Sequence, residues 1–467
     1  MPINRRQFLR TATASTLAGA GLYGMPGALT AHAADVSGYK ALVCVFLFGG
    51  LDTHDLLLPY DQPSYDSFAS VRQTLLNAQG SSRAREMLLP LTLDNQSSFG
   101  SRAFALPPEM PQLHALFDQG QAALVANVGP LVEPVTAQGV IDRAVRVPPR
   151  LFSHNDQQAT WQASAPEGAQ LGWGGLFADA ALAAGANAGS EVFTTLSTAG
   201  VGPFLTGDIA APYQISLSGT TGIRALERFD DGGNNPELAS FLAAAKDRFR
   251  AEGFAGSNIL AQDIANKFRN GIDANTAFDE ARGGGVPLAT TFPETGLGAQ
   301  LKAVAETMSI RSALFASRQI FFVGIGGFDT HSSQAADLPA LLGEIDGALA
   351  AFNQAVGDLG LSQSVTTFTA SDFGRTLSVN GDGTDHGWGS HHIVMGGAVR
   401  GRNIFGSVPA TELGNDRDVG SGRLAPTLSV EQLAEPLGKW WGLSDSEISA
   451  SLPNLRNFDP AALQLFS

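Results

Sequence analysis

The chain has 467 residues, a formal net charge of −15 and a single cysteine. An acidic chain with no basic stripe has nothing to neutralise phosphates, which excludes nucleic acid as an expected partner. The lone thiol, Cys44, excludes an internal disulfide and lies inside an apolar run, so it reads as a buried structural cysteine rather than a nucleophile.

The chain opens with Asn4-Arg5-Arg6-Gln7-Phe8-Leu9-Arg10, then a weakly apolar run from Thr11 to about Leu29, then Ala31-His32-Ala33. A paired arginine, a short apolar stretch and a small-x-small site read as a twin-arginine signal peptide over residues 1–34. The twin-arginine export machinery is therefore an expected partner, and the periplasm or the exterior the expected location. The run is too polar, and too broken by glycines and Pro26, for a membrane anchor. No later stretch has the length of a transmembrane helix.

Residues 35–467 read as one elaborated domain. Ala41 to Phe48 is a continuous apolar run that ends in Gly49-Gly50-Leu51-Asp52. Continuous hydrophobicity predicts a strand buried on both faces, as in a parallel sheet. Ala122 to Gly129 repeats the form after a predicted helix from Pro111 to Gln119, and Ile320 to Ile325 and Val365 to Thr369 repeat it again. A shorter run, Ile393 to Met395, leads into Gly396-Gly397. Leu297, Leu301, Val304, Ala305 and Met308 fall at helical spacing, as do Leu338, Leu342, Ile345, Leu349 and Phe352. Alternating helix and strand predicts a doubly wound α/β sheet, which binds ligands beyond the carboxyl ends of its strands. Residues from about 195 to 291 hold two loop-like stretches, Asp230 to Pro236 and Gly283 to Pro287, around a helical pattern from Pro236 to about Asn270. They read as an insertion.

Polar motifs follow the predicted strands. Asp52 follows the first, with His54 beside it; Asp329 and His331 follow the third, and Asp372 the fourth. Asp385, His386, His391 and His392 come soon after, although the whole chain has only eight histidines. Carboxylate and imidazole together suit a divalent cation such as zinc, manganese or iron. Asp52, Asp329, His331, Asp372, Asp385, His386 and His392 are the candidate ligands. His392 is preferred to His391 because adjacent strand residues point to opposite faces. Arg375 is a candidate anion clamp. Ser153 precedes a predicted helix, so it is either an N-cap or a nucleophile beside anion-binding backbone N–H groups. Neither a G-x-S-x-G elbow nor a Walker A loop is present.

Phe48 to His54, Ser153-His154 with Trp161, Gly326 to His331, Thr369 to Thr376 and Thr384 to Gly389 together resemble the domain-of-unknown-function family fifteen-oh-one. So do Met395 to Gly397, Trp440 to Ser444 and Pro453 to Leu455. That family is placed in the alkaline phosphatase and sulfatase clan. The resemblance implies an alkaline-phosphatase-like three-layer α/β/α sandwich, with a metal site at the carboxyl edge of the sheet. It departs from the clan where Phe373 follows Asp372 in place of a histidine, and where the sulfatase Cys-x-Pro-x-Arg signature is absent. The expected activity is metal-dependent hydrolysis of a phosphate or sulfate ester on a small molecule or glycan, with Ser153 or water as nucleophile. The alternative is a non-catalytic cell-envelope binding or assembly protein that keeps the fold.

Overall fold

The computed structural model describes residues 33–217, 219–220, 236–241, 243–244, 259–459 and 463–466. Residues 1–32 of the expected signal peptide, and all of the expected loop from Asp230 to Pro236 except Pro236 itself, lie outside the described residues.

A ten-stranded sheet forms the centre of the molecule. Its strands are β1 (Lys40–Leu47), β2 (Ala122–Gly129), β3 (Thr195–Ser197), β4 (Tyr213–Ser216), β5 (Gly219–Thr220), β6 (Arg318–Ile325), β7 (Val365–Ser371), β8 (Ser390–Met395), β9 (Ile404–Gly406) and β10 (Leu428–Ser429). Their order across the sheet is β9–β2–β8–β7–β1–β6–β3–β4–β5, with β10 also on β2. β1 runs parallel to both β6 and β7, while β8 is antiparallel to β7 and β2. β5 is antiparallel to β4. The sheet is therefore mostly parallel, with β8 and β5 reversed.

β1 shows why the expected continuous run is central. Ala41, Val43, Val45 and Leu47 point into one core, and Leu42, Cys44 and Phe46 into the other. Helices cover both faces. On the first lie α3 (Pro111–Asp118), α8 (Gly296–Ser309) and α9 (Gln334–Asp358), which bury Leu116, Leu301 and Leu342 among others. On the second lie α5 (His154–Ala163), α6 (Trp173–Ala183), α10 (Val430–Trp441) and α11 (Asp445–Ser451), which bury Trp161, Phe177, Leu437 and Ile448. A fully buried side chain of this size contributes about 1.5–3 kcal/mol. Further helices among the described residues include α1 (Thr53–Leu56), α2 (Gln62–Gln79), α4 (Ala137–Ile141) and α7 (Ile259–Gly283).

The segment expected as an insertion from about 195 begins inside this sheet. Thr195 to Ser197 pair with Ile320 to Phe322, and β4 extends the same edge. β3 is too short to give a period in the sequence. α7 begins within the expected helical pattern and runs on to Gly283.

Register sets the site. Leu47 lies opposite Ile325 of β6 and Ser371 of β7, so the three central strands end level. Asp52, Asp329 and Asp372 consequently leave one edge of the sheet. Close approach there needs glycine: Gly49 has φ +116°, and a Cβ on it would sit 2.4 Å from the Asp329 nitrogen.

Candidate metal centre

Three histidines and one aspartate meet at this edge. His386 Nε2 lies 3.1 Å from His154 Nε2, 2.8 Å from His331 Nε2 and 3.2 Å from Asp329 Oδ1. His154 Nε2 is 3.5 Å from Asp329 Oδ2, and His331 Nε2 is 3.1 Å from Asp329 Oδ1. The ligand atoms of His154, Asp329 and His386 all lie within 4.8 Å of one another. His331 stands at the outer side, 43% exposed at its side chain against 22% for His386.

The second ring nitrogens are held by acceptors. His154 Nδ1 meets Asp372 Oδ2 at 2.6 Å, and His386 Nδ1 meets the Phe152 carbonyl at 2.8 Å. His331 Nδ1 lies 3.5 Å from Asp385 Oδ1. A carbonyl oxygen only accepts, so His386 Nδ1 carries the proton and its Nε2 offers a lone pair. The Asp372 carboxylate imposes the same tautomer on His154. The two Nε2 atoms then face each other at 3.1 Å, a contact made favourable either by a proton on the His154 ring or by a cation between the rings. A tetrahedral ion with bonds of about 2.0–2.1 Å places its ligand atoms about 3.3 Å apart. The His154–His386, His386–Asp329 and His154–Asp329 separations of 3.1, 3.2 and 3.5 Å bracket that spacing, while the 2.8 Å between His331 and His386 is shorter, and an imidazole backed by a carboxylate is the usual support for a ligating histidine.

Charge reinforces the arrangement. Burial raises the Asp329 carboxyl, but the hydrogen bond and charge of Arg375 outweigh it and hold the group below the usual carboxylate range. Burial lowers His386 and favours the neutral, ligating ring. The hydrogen bond to Asp372 raises His154 above the ordinary imidazole value, against the opposing effect of burial. Asp372 is fully buried; its Oδ2 also accepts from Gln158 Nε2 at 2.9 Å, and its Oδ1 has no partner. That bare oxygen adds negative potential next to the ring nitrogens.

The other candidates from the sequence sit elsewhere or in outer positions. Asp52 caps α1, accepting from the His54 N–H at 3.1 Å, and is paired with the buried Arg72 guanidinium. Arg72 Nη2 reaches Asp52 Oδ1 at 3.0 Å, and Gln334 Nε2 also donates to the carboxylate. With its oxygens taken, Asp52 is bound to a guanidinium, and the cluster forms without it. Asp372 stands behind His154 as its Nδ1 partner, and Asp385 stands behind His331 while also accepting from Asn380 at 2.9 Å. His392 is fully buried with its ring edge-on to Trp161, and its Nε2 has no partner. Its neighbour His391 accepts at Nδ1 from the Asn127 N–H. Neither ring is in the cluster.

Arg375 donates to Asp329 Oδ1 at 2.8 Å, to the Gly49 carbonyl at 3.2 Å and to both oxygens of Thr384. Its donors are mostly spent on holding the loop that carries Asp329. The Ser153 hydroxyl donates to Asp156 Oδ2 at 2.8 Å, and among the described residues it makes no hydrogen bond to the cluster.

His154 is the ring that sequence reasoning missed. It is the first residue of α5, and Gln158 follows four positions later on the same helical face. Both side chains reach Asp372, so an i, i+4 His/Gln pair after Ser153 was the available signal.

Comparison with known proteins adds little to this geometry. No curated protein matches the chain. One solved structure, Ps i-CgsB in complex with k-i-k-neocarrahexaose, is 9% identical, covers 91% of this chain and 78% of its own, and has a TM-score of 0.33. Another, a Bacteroides thetaiotaomicron protein connected with metabolism of multiple glycosaminoglycans, is 9% identical, covers 79% and 69%, and has a TM-score of 0.30. At those scores neither likeness carries an argument about fold or activity. The model of the family described as "Protein of unknown function (DUF1501)" matches residues 39–451, and the chain belongs to that family.

Proposed function

We propose that the chain is a metal-dependent hydrolase of phosphate or sulfate esters, with an alkaline-phosphatase-like arrangement and export by the twin-arginine route. The observation that carries the metal is the meeting of His154, Asp329 and His386, with two ring tautomers set by Asp372 and the Phe152 carbonyl. The ester class rests on the resemblance to the clan. A divalent ion there supplies Lewis acidity toward an ester oxygen or a water. Asp329 and the two rings would hold the ion, with His331 as a fourth donor. Arg375 keeps Asp329 charged and in place. The cluster is open to solvent, so a glycan ester fits as readily as a small one.

Two nucleophiles fit the site. One is Ser153, whose hydroxyl already donates to a carboxylate able to take its proton. The other is water. Replacing Ser153 by Ala separates them: turnover disappears with the hydroxyl, or it survives with water.

A second reading has its own observation. Ser153 is tied to Asp156 and Arg375 to backbone and Asp329, so neither side chain is presented freely to a substrate. That suits a cell-envelope binding or assembly protein with a structural metal. Metal analysis of the purified chain, with a panel of chromogenic phosphate and sulfate esters, decides between the two. Metal-dependent turnover that is lost in Asp329→Ala supports the hydrolase. A fully loaded protein inert on the whole panel supports the binding protein.

A further inference from the structure

Gln334, the first residue of α9, is a buried amide between two loops of the cluster. Its Oε1 accepts from the Thr330 hydroxyl at 3.0 Å and from the Thr384 hydroxyl at 2.6 Å. Its Nε2 donates to the Asp52 carboxylate. Thr330 stands between Asp329 and His331, and Thr384 stands two positions before His386. One side chain therefore ties together the two loops that carry three of the four cluster residues. The loops also touch directly. The Thr384 N–H donates to the Thr330 carbonyl at 3.1 Å, and a Cβ on Gly383 would sit 2.3 Å from the Thr330 oxygen.

The chemistry of the partners fixes the direction of each hydrogen bond. A guanidinium only donates, so Thr384 Oγ1 accepts from Arg375 Nε at 3.3 Å and sends its own proton to Gln334. A carboxylate only accepts, so Asp52 keeps the amide nitrogen on its own side and leaves the amide oxygen for the two threonines. The reversed amide would set its oxygen against the Asp52 carboxylate, a repulsion that a buried site does not screen. The path ends at Arg375 Nη1, which donates to Asp329 Oδ1 at 2.8 Å. Asp52, Thr330, Gln334, Arg375 and Thr384 are all buried, so solvent supplies no substitute partner. Arg72 pairs with the same carboxylate but takes no part in orienting the amide.

We propose that Gln334 is a positioning residue of the metal centre. Oriented by Asp52, its amide holds the loop of Asp329 and His331 against the loop of His386, at the separation a bound divalent cation needs. The proposal rests on the metal reading above. Zinc affinity of the purified full chain is measured by competition with a chelator, and the absorption spectrum of the cobalt-loaded chain reports ligand geometry. Denaturation of the metal-free chain follows stability separately. Gln334→Met keeps the length and removes both polar ends; it should weaken zinc binding about tenfold or more and alter the cobalt spectrum. Thr384→Val removes only the hydroxyl and should act in the same direction. Thr384→Ser keeps the hydroxyl and should restore both readouts. Leu437→Ala, a core truncation on the other face of the sheet, should lower stability and leave affinity and spectrum unchanged. If Gln334→Met fails to fold, the two Thr384 variants decide alone. Unchanged affinity and spectrum in folded Gln334→Met or Thr384→Val, no recovery in Thr384→Ser, or an equal loss of affinity in Leu437→Ala overturns the proposal and leaves the metal reading standing. An unmodified chain that takes up neither zinc nor cobalt overturns both.

Discussion

His386 and His392 are six positions apart in one glycine-rich stretch, yet they belong to two different kinds of site. The rings of His154, His331 and His386 are partly exposed, back onto oxygen acceptors, and turn their Nε2 atoms toward one another. The rings of His54, His391 and His392 are buried in the fold. Burial lowers His54 and His392 to about 3 and His391 to about 4, so all three stay neutral. The same contrast divides the aspartates: Asp329 faces the open cluster, whereas Asp52 is closed off by Arg72. Density of metal-binding residue types therefore does not define a ligand set. The partner of the second nitrogen, or of the second oxygen, does.

Breaking the buried side, by mutation or by acid, should have the largest effects. Arg72→Met leaves Asp52 charged and unpaired in the interior, where loss of one partner costs about 3–5 kcal/mol. Chemical denaturation should register that loss while metal per folded chain stays constant; a fall in bound metal would mean that Asp52 and Arg72 belong to the cluster after all.

Acid acts on the same buried side, through its rings, and below about pH 5 its combined effect reaches or exceeds that of Arg72→Met. Their folded values, about 3 to 4, lie below the unfolded value of 6.5. The unfolded chain binds more protons in that window, so stability is fully present above about pH 6.5 and is lost as the pH falls toward 4. Each ring contributes about 1.4 kcal/mol per pH unit inside the window. Denaturation midpoints at pH 7, 6 and 5 test this, and His392→Leu should reduce the slope by one proton. An unchanged slope would show that His392 is charged in the fold.

Asp372→Asn tests the open side. It keeps the shape but weakens the acceptor that sets the His154 tautomer, and loss of such a support costs about 10–100-fold in metal affinity. Competition with a chelator measures it, and unaltered affinity would remove His154 from the ligand set. Asp385→Asn should have the smallest effect, less than about tenfold, because the contact to His331 is 3.5 Å and the carboxylate is half exposed. An effect as large as that of Asp372→Asn would move His331 from the margin to the centre.

Much of the scaffold was legible in the sequence. The runs from Ala41, Ala122, Ile320 and Val365 are strands of one sheet, and the apolar spacings around Leu301 and Leu342 are helices on its face. Strand ends marked by Gly-Gly and Asp placed Asp329 and Asp372 on a common edge. The partners of those residues were harder to read. Arg72 lies in α2, twenty positions beyond Asp52, and nothing local ties the two together. Alternation along a strand favours His392, but β8 is buried on both faces, so alternation selects between two cores rather than between core and site. His154 comes from a helix on the far side of the sequence, over two hundred positions from Asp372. Only packing brings them together.

Metal content per chain in three proteins separates the open cluster from the buried rings. The unmodified chain, His154→Ala and His392→Leu are purified folded, loaded with excess divalent metal, desalted and analysed. One equivalent is expected in the unmodified chain, near none in His154→Ala and one in His392→Leu. A full equivalent retained in His154→Ala, or its loss from folded His392→Leu, would contradict that separation.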